Sequence, residues 1–150
     1  MNSTRIFFSL LAFVSAQALG APRFEGFPAR SYARHPVGIQ LHGAKDREYA
    51  SKLRKTLHQP VNFAGRYVLT TWGCGASCVI GAAIDARTGA VTWIPFTVCC
   101  CDLNITEPLE YRPESRLLVV HGSLDEKGAG SAVHYDDFDG RRFVPIAPAP

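Results

Sequence analysis

The sequence has few charged residues and no clustered basic face. Charged residues make up 19% of the 150 residues, and the formal net charge of +3 comes from basic residues that are scattered along the chain. Domains that bind nucleic acid need basic side chains grouped on one face or along one helix. The composition therefore argues against nucleic acid as a partner.

The sequence also lacks an apolar run long enough to cross a membrane. The run Ile6–Val14 follows Arg5 and precedes a stretch of small residues. A transmembrane helix needs about 20 apolar residues, whereas a basic start, a short apolar run and a small-x-small site are typical of a secretory signal peptide. We predict that residues 1–20 are a signal peptide cleaved after Ala18 or Gly20. The mature protein would then be periplasmic or secreted, without membrane insertion.

Motifs of common catalytic sites are absent. Gly-x-Ser-x-Gly, which presents the nucleophilic serine of many hydrolases, does not occur. A triad can be drawn from His121, Ser123 and Asp125, but side chains so close along one strand and loop seldom reach triad geometry. We therefore expect no catalytic residue, and the sequence favours a role other than that of an enzyme.

Five cysteines are present, and an exported chain is expected to form disulfides. The disulfide candidates are Cys74, Cys78, Cys99, Cys100 and Cys101. An odd number leaves one thiol over unless it pairs between molecules. A bridge within the segment Trp72–Cys78 and a bridge from it to the later cluster both remain open.

Metal or thiol chemistry at these cysteines is the alternative to a structural role. Cys74 and Cys78 have three residues between them, whereas redox pairs have two and open a helix. The run Cys99–Cys101 makes a poor zinc knuckle, because successive side chains of an extended chain point in opposite directions. We expect no metal and no cofactor.

The first part of the mature chain predicts an irregular lead-in and one helix. Segment 21–43 contains prolines among aromatic residues, which is typical of irregular structure. Segment Ala44–His58 has apolar side chains at four-residue spacing, at Tyr49, Leu53 and Leu57, with basic residues on the other face. This helix is expected to cover a core with its apolar stripe.

The rest of the chain predicts strands joined by tight turns. The first three predicted strands would form an antiparallel meander, and the very apolar fourth strand would be central and covered on both faces. The predicted fold is mainly β, of the α+β type, in which an antiparallel meander or twisted sheet packs against one N-terminal helix in a single domain of residues 44–147. The predicted strands are 66–72, 78–85, 90–96, 116–122, 132–138 and 141–146.

Two polar loops are candidates for partner binding, because recognition residues often lie on loops that a rigid sheet positions. The candidates are Asp102 and Asn104 in the first loop, and Asp125, Glu126 and Lys127 in the second. The sequence thus predicts an exported, disulfide-stabilised, non-catalytic binding or inhibitor-type module that acts on another envelope or secreted protein. A metal- or thiol-handling protein centred on the cysteines is the alternative.

Several segments together resemble a known group of proteins. They are Asn62–Tyr67, Trp72–Cys78, Ile84–Gly89, Pro108–Leu118 and Glu126–Gly130. As a set, these segments resemble a family of small exported bacterial proteins with no assigned activity. The resemblance covers about residues 45–146. It implies a periplasmic or secreted bacterial domain and supplies no catalytic residue.

Overall fold

The computed structural model describes residues 20–32, 35–75, 77–99, 105–127 and 132–147. Within these ranges, two short α-helices and two 3₁₀ turns accompany nine β-strands. The helices are α1 (Ala44–Glu48) and α2 (Ala50–Arg54), and the 3₁₀ turns are Phe24–Gly26 and Lys55–His58. The strands are β1 (Tyr67–Gly75), β2 (Cys78–Asp85), β3 (Val91–Trp93), β4 (Val98–Cys99), β5 (Leu109–Glu110), β6 (Leu117–His121), β7 (Ser123–Leu124), β8 (Val133–Phe138) and β9 (Phe143–Pro145).

The strands form two antiparallel sheets. The first sheet has the order β1-β2-β4-β7, with β3 also paired to β2, and the second has the order β5-β6-β8-β9. The predicted fold class, mainly β with a small helical part, is confirmed, and the predicted meander is formed by β1, β2 and β3. The strands divide into two sheets rather than one because apolar residues on facing strands can be buried between sheets as well as beneath a helix.

The main core lies between the two sheets. Leu69 and Ala83 from the first sheet pack in one buried cluster with Leu118, Val120 and Phe138 from the second. Strand β6 contributes four consecutive buried residues and lies between β5 and β8, so the prediction of a central strand covered on both faces is confirmed.

A smaller core lies on the other face of the first sheet, beneath the helices. Leu53 packs there against Ala82 and Ile84 of β2. The predicted helix Ala44–His58 is present but interrupted at Tyr49, where φ is −97° and ψ is 14°. The Tyr49 ring packs against two tryptophans at this break, so tertiary packing replaces one regular helix with two short ones and a 3₁₀ turn.

The lead-in lies along the surface of both sheets. Near the second sheet, the backbone N–H of Ala29 donates a hydrogen bond to the Glu114 carbonyl at 2.7 Å. Further on, Gln40 N–H donates to the Gly89 carbonyl at 2.8 Å, beside the turn after β2. Residues 1–19 lie outside the described residues, so the predicted signal peptide stays a prediction. Within the described ranges, no helix is both long enough and apolar enough to cross a bilayer.

Candidate binding groove

The disulfide joins two neighbouring strands of the first sheet. Cys78 of β2 and Cys99 of β4 are direct partners in the register, their Cα atoms are 4.0 Å apart, and both side chains are buried. Disulfide stabilisation is therefore confirmed, by a bridge from the mid-chain cysteine segment to the later cluster. Cys74 is exposed and forms no disulfide within the part of the chain that the structure describes. Cys100 and Cys101 lie outside the described residues.

Strand β1 continues further towards β2 than the sequence predicts. Residues Gly73–Gly75 were expected to form a turn, but they continue β1. The register shifts between Gly73 and Gly75, which indicates a bulge. Ser77, just before β2, has a φ of 58°. Strand β1 is consequently nine residues long.

The second candidate loop begins as a two-residue turn. Asp125 and Glu126 both have positive φ, 51° and 61°, and Lys127 N–H donates to the Leu124 carbonyl at 2.9 Å. The Asp125 carboxylate accepts hydrogen bonds from the backbone N–H of Thr97 at 2.9 Å and from its hydroxyl at 3.3 Å. This carboxylate therefore joins two segments of the fold. Glu126 and Lys127 are exposed.

The first candidate loop cannot be placed in the same way, because Asp102 and Asn104 lie outside the described residues.

The side chains of His121, Ser123 and Asp125, which can be drawn as a triad from the sequence, do not come together. His121 Nε2 lies 2.6 Å from Glu110 Oε1, Ser123 donates to the Cys99 carbonyl, and Asp125 accepts from Thr97. Each of the three thus contacts a different neighbour.

A recess lies where the edges of the two sheets meet. We call it the edge groove. It has a volume of about 460 Å³ and runs between Thr71 of β1 on one side and the segment 106–112, which includes β5, on the other. Its charged side chains are Glu107, Glu110 and Arg112.

Two of these three charges have partners. Glu110 contacts His121, and Arg112 Nη1 lies 3.4 Å from Glu25 Oε1. Glu107 is exposed and has no ion-pair partner in the part of the chain that the structure describes. Burial raises the pKa of Tyr111, and the negative charge of Glu107 raises it further. The groove therefore has one carboxylate available for a ligand.

The wall formed by β1 exposes unpaired backbone groups. In the antiparallel pair with β2, alternate residues of β1 direct their N–H and C=O away from β2. At Tyr67 these groups bond Phe63 and Asn62, and at Leu69 they bond the Asn62 side chain, at 2.7 Å to Oδ1 and 3.0 Å from Nδ2. The same alternation directs the backbone groups of Thr71 and Gly73 outward. Within the described residues, no hydrogen bond to them is present.

Sequence reasoning missed this groove. It predicted a strand over 66–72 but could not show that this strand lies at an edge, because strand order depends on contacts distant in sequence. The prolines at 108 and 113, on either side of β5, are the one local signal, since proline is typical of sheet edges.

Comparison with known proteins finds no match: no family model, no curated protein and no solved structure is similar to this chain.

Proposed function

We propose that this protein is an exported, disulfide-stabilised binding module of the bacterial cell envelope that contacts another protein through the edge groove and has no catalytic role. The observation on which the proposal depends is the groove itself, whose volume of about 460 Å³ accepts several side chains. It is open to solvent between two rigid sheets and has an available carboxylate at Glu107. Such a surface suits recognition, because the sheets hold the contact residues in place before binding.

Three further features support this proposal. The short apolar N-terminal run is typical of export, and the disulfide is compatible with an oxidising compartment. The resemblance to small exported bacterial proteins agrees with both. The disulfide lies on β2 and β4, so it stiffens the sheet whose edge forms one groove wall.

Export is tested by expressing the full chain in a bacterium, fractionating the cells and measuring the intact mass of the product. We expect the protein in the periplasm or the medium, with a mass that corresponds to loss of residues 1–18 or 1–20. A full-length product in the cytoplasm would contradict export.

Groove binding is tested with a random-peptide display library selected on the purified protein. We expect selected peptides that lose about tenfold in affinity when Glu107 is replaced by Gln. Glu114→Gln is the matched control, because Glu114 is also exposed but does not line the groove. If no peptide is enriched, or if both variants bind equally well, the groove is not the contact surface.

Metal or thiol handling is the second candidate, and one observation favours it. The sulfurs of Cys78 and Cys99 and a carboxylate oxygen of Glu126 all lie within 4.8 Å of one another. Two thiolates and a carboxylate suit zinc, but the sulfurs are bonded to each other and must be reduced first. Native mass spectrometry with zinc, before and after dithiothreitol, tests this candidate. One bound zinc that Glu126→Gln removes would support it, and no zinc after reduction would reject it.

A further inference from the structure

We propose that the partner of the edge groove is an extended peptide segment with a basic side chain, and that it binds by adding a strand to the open end of β1. This inference rests on the proposed function and names the class of partner. We call Tyr67–Leu69 the covered half of β1 and Thr71–Gly75 its open half. The backbone groups of Thr71 and Gly73 would supply the hydrogen bonds.

The open half differs from the other sheet edges. Strands β3, β5, β7 and β9 are two or three residues long, and short edge strands are one way in which proteins avoid unwanted pairing. Strand β1 has nine residues, and its open half has neither proline nor a charged residue. Within the described residues, the edge at Thr71 and Gly73 is unpaired and precedes the bulge, and an edge of this kind is suited to accept a strand from a partner.

The protein already shows that this edge accepts strand-like hydrogen bonds. The Asn62 side chain presents an acceptor and a donor to Leu69 in the way that a neighbouring peptide group would. The same geometry continues at Thr71, the next outward residue, whose backbone groups have no partner among the described residues. The open half spans about 13 Å at the usual rise per residue, so it offers up to four backbone hydrogen bonds to a segment of about five residues.

The chemistry of the segment follows from the groove. Alternate side chains of an added strand point to the same side, so every second one enters the recess beside Thr71 and Glu107. Glu110 is already in contact with His121, and Arg112 with Glu25, which leaves Glu107 as the available charge. A lysine or arginine at one inward position complements it.

The test uses a synthetic peptide selected as described above, with single N-methyl groups placed at successive residues. N-methylation removes one backbone donor without changing the side chain. We expect affinity to fall roughly tenfold at alternate positions and to change little between them, because only every second residue of an added strand bonds the edge. Amide exchange measured by NMR should show protection of Thr71 and Gly73 in the complex.

The outcomes separate this inference from the proposed function. If Glu107→Gln weakens binding but N-methylation shows no alternation and Thr71 gains no protection, the groove binds its partner without strand addition and the inference is wrong. If selected peptides have no basic residue, its chemical part is wrong. If the protein alone forms dimers in which the Thr71 and Gly73 amides are protected, a second copy occupies the edge, and the inference is overturned.

Discussion

The two halves of β1 belong to one strand, yet they differ in what lies beside them. The covered half has its outward backbone groups bonded by Asn62 and Phe63, and the side chains of Tyr67 and Leu69 lie in the main core. The open half has exposed backbone groups at Thr71 and Gly73 and borders the edge groove. Stability and recognition are therefore assigned to different ends of the same strand.

The difference comes chiefly from neighbours, although the register of β1 also shifts between Gly73 and Gly75. Both halves pair with β2 in one antiparallel ladder. The covered half is buried because the chain before it turns back at Phe63 and Ala64. The open half is held from its other side, where β2 is joined to β4 by the disulfide.

The largest effect is expected from removing that support with the double substitution Cys78→Ser and Cys99→Ser. The cysteines are 21 residues apart in sequence, and a loop of that size predicts a loss of about 3 kcal/mol in the free energy of unfolding, measured with urea. Amide exchange should accelerate more at Trp72 of the open half than at Val68 of the covered half, because both N–H groups face β2. Cys74→Ser is the control and should change stability by less than about 0.5 kcal/mol. Equal losses in the two variants would contradict the assignment.

The next effect concerns the covered half. Asn62→Ala removes both side-chain hydrogen bonds to the Leu69 backbone and leaves its N–H and C=O without partners. Leu69 is 1% exposed, so we expect a loss of about 2 kcal/mol in the free energy of unfolding. Thr71→Ala on the open half should change it by less than about 0.5 kcal/mol. Similar losses from both substitutions would show that the two halves do not differ.

A smaller effect on the free energy of unfolding is expected from a change of pH. It acts through Asp46, which accepts a hydrogen bond from Trp93. We call Trp72 and Trp93 the tryptophan layer beneath the open half. Burial tends to raise the pKa of Asp46, but hydrogen bonds from Gly43, Trp93 and His42 outweigh burial and hold it below its usual value. Because the folded-state pKa is lowered, this stabilisation is complete above the unfolded-state pKa and is lost as the pH falls through the folded-state pKa. Trp93 packs against Trp72 of the open half, with ring centroids 5.7 Å apart.

We therefore expect wild type to lose about 1 kcal/mol more stability than Asp46→Asn when urea unfolding is compared at about pH 7 and about pH 3. Equal losses in the two proteins would indicate that the Asp46 carboxylate does not stabilise this layer. A larger loss in the variant would contradict the sign of the pKa shift.

The smallest effect on stability is expected in the open half. Nothing lies within 4 Å of a Cβ placed on Gly73, so Gly73→Ala should change stability by no more than about 0.5 kcal/mol. Gly81 of β2 is the contrasting position, since its Cβ would lie 2.9 Å from the Thr70 carbonyl oxygen. Gly81→Ala should lower the melting temperature clearly in the same assay. A comparable decrease in both variants would mean that the open half is packed against something.

The sequence predicted the elements better than their arrangement. Alternation and turn residues located β2 at 78–85, and the apolar run located β6 as a central strand. The break at Tyr49 and the division into two sheets depend on contacts between distant residues, such as the packing of Tyr49 on Trp72. Local patterns do not contain that information.

The same limit applies to the site. The polar loops of a chain predicted to be exported indicated Asp125 as a binding residue. In the structure its carboxylate accepts a hydrogen bond from the Thr97 backbone. The edge groove needs β1 and β5 to be neighbours in space, although the 33 residues 76–108 separate them along the chain. The sequence offered five candidate cysteines for the disulfide but did not identify the bonded pair. The pairing of Cys78 with Cys99 follows from the register of β2 and β4.

The contact between Asn62 and Leu69 also bears on solubility. Without that side chain, the unpaired edge of β1 would extend from Thr71 back to Leu69. A longer free edge favours pairing between identical molecules over pairing with a short segment of another protein. Loss of the Asn62 side-chain amide would then favour pairing between copies of the chain, and the protein would begin to self-associate as its concentration rises.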